Sequence, residues 1–553
     1  MRRTSMDRRT LLRYAAGGAA AAVSGIRPSV GATPEPSRAV TPSDPAAGIA
    51  PFELDELSFL DLQKRMETGA ETARSITAKY LARIEALDRR GPELRSVLET
   101  NPDALPIADA LDKERKAGHV RGPLHGVPIL LKDNIGTADR MTTTAGSLAL
   151  EGSIPAADSA VARRLREAGA ILIGKANMSE WANFRSAHAS SGWSGRGGQC
   201  RNPYALDRNP SGSSSGSGAA TAANLCAAAI GSETDGSVVS PSNNCGLVGI
   251  KPTLGLVSRT GIIPIAHSQD TAGPMARTVA DAAYLLAALA GSDPTDAATR
   301  EAAGRPIDLK KALAGGRLDG IRIGVPRKGL FGQCPPADRI VDEAIADLRR
   351  LGAEIVDPAD IDTISDFGAT EQEVLLYEFK TDLNAYLAGL PGPPEARPRT
   401  LAALIAFNDA HRDREMPYFG QELFLQAEKK GPLTDKAYRD ALETNHRLTR
   451  TEGIDKTMDR HKLDALVAPT SGPAILIDLV NGDYGPGGST TFPAVAGYPD
   501  VTVPAGFSFG LPVGISFFGR AWSDEKLIRI AYAYEQATRH RRAPKFLATA
   551  PIG

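Results

Sequence analysis

Cysteine is scarce in this 553-residue chain: there are four, Cys200, Cys226, Cys245 and Cys334, and no Cys-x-x-Cys pair. That excludes a disulfide framework and gives no support to a thiolate zinc site or thiol redox chemistry. The four are expected mostly buried, as small hydrophobes. Histidine is also sparse, with eight residues and no His-Glu-x-x-His or comparable cluster, so no metal site and no cofactor are expected. Charge of either sign is not in excess: 64 Lys and Arg face 65 Asp and Glu, a formal net charge of −1. No electrostatic footprint for nucleic acid results. The N-terminal apolar stretch falls short of the roughly 20 residues that cross a bilayer, so no stable membrane anchor is expected. What remains is an ordinary globular composition, 42% hydrophobic and 23% charged, on a chain long enough to bury a sizeable core.

Residues 1–32 read as a twin-arginine export signal. Arg8-Arg9-Thr10-Leu11-Leu12-Arg13 precedes the small apolar stretch Ala15 to Val23, and Val30-Gly31-Ala32 offers a cleavage site. A periplasmic or extracellular protein is the expectation; an N-terminal helix or disordered tail is the plainer alternative. Residues 33–52, rich in Pro, Ala, Ser and Thr, predict a flexible lead-in, with order beginning near Leu54. Leu60 to Glu67 and Ile76 to Leu87 carry apolar residues at helical spacing. From Val97 to about Gly291 short apolar runs alternate with helical patterns, the signature of an α/β fold. The runs are Val127 to Leu131, Val161 to Ala168, Ala170 to Ile173 and Ala219 to Ile230, the last read as a buried helical segment. Strands are expected near Gly320 to Val325, then at Glu354 to Val356, Ala465 to Val467, Val501 to Val503 and Val513 to Phe517. A helix over Ile340 to Leu351 and a mainly helical insertion over about 363–451 complete the pattern, with Tyr377, Phe379 and Tyr386 assigned to core.

Three segments carry candidate chemistry. Pro210-Ser211-Gly212-Ser213-Ser214-Ser215-Gly216-Ser217-Gly218 opens directly into the Ala-rich stretch Ala219 to Ile230. A Gly/Ser run is usually a linker, yet a tether has no reason to lead into a segment that must be buried. Its glycines suit close backbone approach, and Ser217 suits a helix cap. Next, Gly231-Ser232-Glu233-Thr234-Asp235-Gly236-Ser237 interrupts apolar sequence with a tight polar turn. A serine on such a turn, backed by successive N–H groups, meets the needs of an acyl-transfer nucleophile and oxyanion hole, although most Gly-Ser turns are only turns. Third, Gly126-Val127-Pro128-Ile129-Leu130-Leu131-Lys132 places a lysine at the end of an apolar strand. A lone lysine there would snorkel to water; buried beside hydroxyls, it becomes a neutral amine and a general base.

These segments, in this order, resemble the amidase signature family. The resemblance covers most of the chain and extends through Lys132-Asp133, Gly249-Ile250-Lys251-Pro252-Thr253, Asp270-Thr271-Ala272-Gly273-Pro274, Val503-Pro504-Ala505-Gly506 and Leu511-Pro512-Val513-Gly514. It implies a large central mixed β-sheet flanked by helices on both faces, with residues 53–553 as the catalytic domain. It also implies a catalytic Lys132, a bridging Ser213 held in a cis peptide, a nucleophilic Ser237, a supporting Ser214, and an oxyanion hole from the N–H groups of Thr234, Asp235, Gly236 and Ser237. Where many members have Asp-Thr-Gly-Gly-Ser-Ile-Arg, this chain has Glu233-Thr234-Asp235-Gly236-Ser237-Val238-Val239. Loss of that arginine argues against an anionic substrate group there. The Thr-Asp-Gly-Ser variant, with Ser191-Gly192-Trp193-Ser194-Gly195-Arg196-Gly197-Gly198, is similar to the bacterial peptide amidase branch, whose members remove the C-terminal amide of peptides.

Gly212-Ser213-Ser214-Ser215-Gly216 also fits the Gly-x-Ser-x-Gly elbow of α/β-hydrolases, with Ser214 as nucleophile. That elbow needs a preceding strand, whereas Arg201 to Pro210 carries two prolines and no apolar run. It also needs a histidine; His446 and His461 lie in charged helical contexts typical of solvated surface, and His125 and His188 suit structural or substrate contacts. Two further readings are a glutaminase-type A subunit of a tRNA-dependent amidotransferase and a non-catalytic binding protein on the same scaffold. The expected partner is a small-molecule or peptide amide.

Overall fold

The computed structural model describes residues 49–552 apart from Pro486. The export signal and most of the lead-in lie outside the described residues. Packing begins slightly before Leu54: Ile49 and Phe52 lie against the main core, and Phe52 meets Tyr80 edge-on at 5.5 Å.

Eleven strands form one mixed sheet. They are β1 (Val97–Thr100), β2 (Pro128–Lys132), β3 (Ile171–Ala176), β6 (Ala228–Glu233), β7 (Val248–Lys251), β8 (Thr271–Ala276), β9 (Arg322–Gly324), β10 (Glu354–Val356), β11 (Ala465–Pro469), β12 (Asp500–Ser508) and β13 (Leu511–Phe518). A separate two-stranded ribbon pairs β4 (Trp193–Ser194) with β5 (Gly198–Gln199). The sheet order is β1-β3-β2-β6-β8-β7-β12-β13-β11-β9-β10. β2 runs parallel to β3 and β6, whereas β8, β7, β12 and β13 follow in antiparallel pairs.

Alternation along β12 and β13 explains the two-sided covering. Val501, Val503, Ile515 and Phe517 share a core with Val341 and Ile345 of the helix Pro335–Arg350 and with Leu527 and Ile528 of the helix Asp524–Thr538. The intervening Thr502 and Ser516 instead share hydroxyl hydrogen bonds with Thr470, and Asn243 of the helix Val239–Asn244 accepts from Gly514 N–H at 2.6 Å. The insertion is helical as expected, with Gly368–Ala388, Leu401–Ala410, Glu422–Glu428 and Lys436–His446. Phe379 is fully buried in its own apolar cluster, and Tyr377 packs in another. Among the described residues no helix is long and apolar enough to cross a membrane.

Three expectations need correction. Ala219 to Ile230 is not one helical segment: a helix spans Ser215–Ala222, Asn224 turns the chain at φ 57°, and strand β6 begins at Ala228. A continuous run of small apolar residues satisfies a buried helix and a buried strand equally, so periodicity cannot divide it. Ser217 does not cap that helix; it lies inside it, and its hydroxyl donates to Ile230 C=O at 3.3 Å. His446 is half-buried rather than solvated, and burial, aided by Arg450, pushes it down to about 4; His461 is half-buried too. The cysteines follow expectation, with Cys200, Cys226 and Cys245 buried and Cys334 half-buried.

Candidate active site

The parallel pair β2 and β6 ends at one edge of the sheet, the position where open α/β sheets receive ligands. Leu131 pairs with Ile230, which sets Lys132 beside the last residues of β6. Lys132 is fully buried. Its Nζ donates to Ser213 Oγ at 2.8 Å, to Ser232 Oγ at 2.9 Å and to Ser232 C=O at 3.0 Å. Burial drives Lys132 from its ordinary 10.5 down to about 7, against the opposing pull of the Glu233 and Asp270 carboxylates. At neutral pH a large fraction of this amine is therefore uncharged.

Ser213 follows the cis Gly212–Ser213 peptide and is wholly buried, as is Ser214. The Ser214 hydroxyl donates to Ser232 C=O at 3.1 Å and accepts from Ser232 N–H at 3.3 Å, which fastens the serine run to β6. The following helix sits so close to its neighbours that a Cβ on Gly216 would lie 2.3 Å from Ser96 C=O and 2.5 Å from Asn177 C=O. Gly216→Ala must displace backbone that positions Ser213. We expect it to cost about 2 kcal/mol of stability and at least about tenfold in kcat, read by denaturant titration and steady-state rates.

Ser237 is held on a second loop. Ser214 N–H donates to Ser237 C=O at 3.2 Å, joining the two serine loops backbone to backbone. Among the described residues the Ser237 hydroxyl has no hydrogen-bond partner, so no Ser213–Ser237 hydroxyl bond is formed. Glu233 organises this loop: its Oε2 accepts from Val238 N–H at 2.7 Å and Val239 N–H at 3.0 Å, and Gly236 N–H also lies against this carboxylate. Gly236 adopts φ 73° with Thr490 Oγ1 only 2.9 Å from where a Cβ would sit, so the turn demands glycine. Asp235 points away into hydrogen bonds from Thr490 and Thr491 hydroxyls at 3.3 and 2.9 Å. Thr234 Oγ1 donates to Asp270 at 2.5 Å, and its C=O accepts from Gln269.

Sequence reasoning missed Ser232, the residue that touches Lys132 twice, and Asn134, whose Nδ2 donates to Ser232 Oγ at 2.8 Å. Only their nearness to Lys132 and the Gly-Ser turn signalled them. It also missed the wall of the site. A cavity of about 190 Å³ is lined by Ser213, Ser232 and Thr234, by Ile262, Ile263 and Ile265, and by charged residues from the same 259–271 segment. Ser237 is not among its lining residues. One helix of the insertion, Gly368–Ala388, grips this wall: Glu371 accepts from Gln269, Glu378 from Ser268 N–H, and Asp382 from His267 N–H.

His267, Glu378 and Asp382 are the one group among the described residues whose ligating atoms lie within 4.8 Å of one another. Both ring nitrogens already face carboxylates, Nδ1 at 2.8 Å from Asp382 and Nε2 at 3.3 Å from Glu378. A cation would have to displace one of these contacts. His125 is structural: it is buried with Nε2 3.0 Å from Leu111 C=O, whereas His188 is exposed.

A large mixed sheet with a buried amine against serine hydroxyls at its parallel strand ends defines an amide-hydrolysing enzyme. The chain belongs to the amidase signature family: the family model described as Amidase matches residues 75–528. A probable amidase of Arabidopsis thaliana is 43% identical over 90% of this chain and 93% of its own. The native peptide amidase of Stenotrophomonas maltophilia superposes with a TM-score of 0.84 at 50% identity, covering 90% of this chain and all of that one. The A subunit of the glutamyl-tRNA(Gln) amidotransferase of Moorella thermoacetica is 35% identical over 88% of this chain and 97% of its own.

Proposed function

We propose that this enzyme hydrolyses the C-terminal carboxamide of peptides, releasing ammonia through an acyl-enzyme on Ser237. Neutral Lys132 accepts the Ser213 proton while Ser213 takes the proton of Ser237, whose Oγ attacks the amide carbonyl. N–H groups of the 234–237 loop that are not turned to Glu233 hold the developing oxyanion, each donor worth roughly 2.7–4 kcal/mol. The relay reverses to protonate the leaving nitrogen, ammonia departs, and water hydrolyses the ester to a carboxylic acid. The observation that carries this reading is the 2.8 Å contact between a wholly buried Lys132 amine and Ser213 Oγ. Support for the peptide substrate comes from the Thr234-Asp235-Gly236-Ser237 turn and from 50% identity to a peptide amidase along its full length.

The kinship with the A subunits of amidotransferases makes glutamine the discriminating alternative. Ammonia release from dipeptide amides, acetamide-type aliphatic amides and glutamine is expected to be fastest for the peptide amides. Turnover of glutamine alone would overturn the peptide assignment. We further propose export by the twin-arginine route, on the strength of Arg8-Arg9 ahead of Ala15 to Val23. Replacing both arginines by lysine is expected to retain the protein in the cytoplasm; undiminished export would refute it.

A further inference from the structure

The cavity beside Ser213 carries a charge pattern that the acyl-transfer steps do not use. Its titratable lining comprises one permanent cation, Arg259, the imidazole of His267, and three carboxylates, Asp270, Asp296 and Asp382. Arg259 is held by Asp296 in a two-pronged pair, Nη2–Oδ1 2.5 Å and Nε–Oδ2 2.9 Å, which cancels both charges. His267 meets Asp382 on one side and a fourth carboxylate, Glu378, on the other. Even a protonated His267 leaves one carboxylate of that trio unbalanced, and Asp270 has no cation within pairing distance among the described residues. Desolvation raises Asp270 only to about 6, so it is ionised at neutral pH. Field lines from these groups are concentrated in a cleft with low-dielectric walls, here Ile262, Ile263 and Ile265. The cavity of about 190 Å³ is smaller than the ~300–1,000 Å³ of sites for drug-sized ligands, so it suits one side chain, not a length of peptide.

We infer that this cavity receives the side chain of the substrate's C-terminal residue and sorts it by charge, admitting neutral and cationic side chains and refusing carboxylates, with Asp382 as the specificity-determining residue. The inference rests on the peptide-amide reading and names the substrate class within it. An apolar stem lies along the isoleucines, and a terminal ammonium meets the net negative lining. A carboxylate would be desolvated against Asp270 and Asp382 with no free cation to receive it.

Three probes of near-equal length test this: N-acetyl-lysinamide, N-acetyl-norleucinamide and the α-amide of N-acetyl-glutamic acid. The expected order of kcat/KM is lysine, then norleucine, then glutamate, with the lysine-to-glutamate ratio about tenfold or more at low ionic strength. Asp382→Asn removes a negative charge and is expected to lower that ratio about threefold or more; His267→Gln removes an imidazole that Asp382 and Glu378 bias towards its charged form and is expected to raise it. A ratio taken within one variant is independent of how much of it is folded, and opposite shifts are not produced by structural damage. Equal rates for the three amides, a preference for glutamate, or shifts of the same sign in both variants would overturn the inference. Calorimetric binding of the same amides to Ser237→Ala separates it from the reaction. The charge order in binding without turnover by the wild type would leave the sorting intact and defeat the peptide amidase reading.

Discussion

Lys132→Met is expected to lower kcat/KM by about 10³- to 10⁵-fold while leaving the fold intact. The loss follows from removing the proposed terminal proton acceptor: general-base catalysis alone is worth roughly 10²–10⁴, and members of one relay lose more because they act as a unit. Stability is expected to move the other way. A net fall from 10.5 to about 7 corresponds to roughly 4–5 kcal/mol of net penalty on the charged amine at 1.36 kcal/mol per tenfold. Methionine keeps the apolar stem and removes that cost, offset by the lost contacts to Ser213 and Ser232. Thermal unfolding should therefore show a midpoint no lower than wild type; an active Lys132→Met enzyme, or one that fails only by unfolding, contradicts the assignment.

The serine pair separates two roles. Ser237→Ala removes the atom proposed to form the acyl-enzyme and is expected to cost about 10⁵-fold or more in kcat. Ser213→Ala removes the proposed proton carrier, which water replaces poorly, an expected loss of about 10²- to 10⁴-fold. Single-turnover assays distinguish them, since Ser213→Ala retains slow acylation and Ser237→Ala retains none. Equal residual rates in the two variants would show that Ser237 is not the nucleophile. The free hydroxyl of Ser237 is consistent with geometry that tightens only around substrate.

Much of this arrangement is legible in the amino-acid order alone. Strand β10 falls on the same three residues that the sequence marks, Glu354 to Val356. Lys132, Ser213 and Ser237 stand out because each breaks a local expectation: a charge ending an apolar strand, a linker-like run entering a core, a polar turn between apolar segments. Ser232 is hidden for the opposite reason. It lies within Ala228–Glu233, and with the preceding alanines read as helix, nothing marks a serine as facing a lysine 100 residues away. The wall of the cavity is hidden by chain separation. Glu371, Glu378 and Asp382 recur at spacings of seven and four, a single helical face, but acids on one face ordinarily meet water. Only folding shows that this face grips Gln269, Ser268 and His267.

The proposed catalysis depends on a proton path from Ser237 to an amine that is uncharged near neutrality. The most direct test is the rate at which a fluorophosphonate labels the enzyme, measured from pH 5 to 10, with the adduct located by mass spectrometry. A depressed lysine pKa makes the reactive form scarce below it and abundant above it, so labelling should fall on Ser237 and accelerate through a midpoint at about 7. An adduct on another residue, or a rate on Ser237 that does not change across that range, would contradict it.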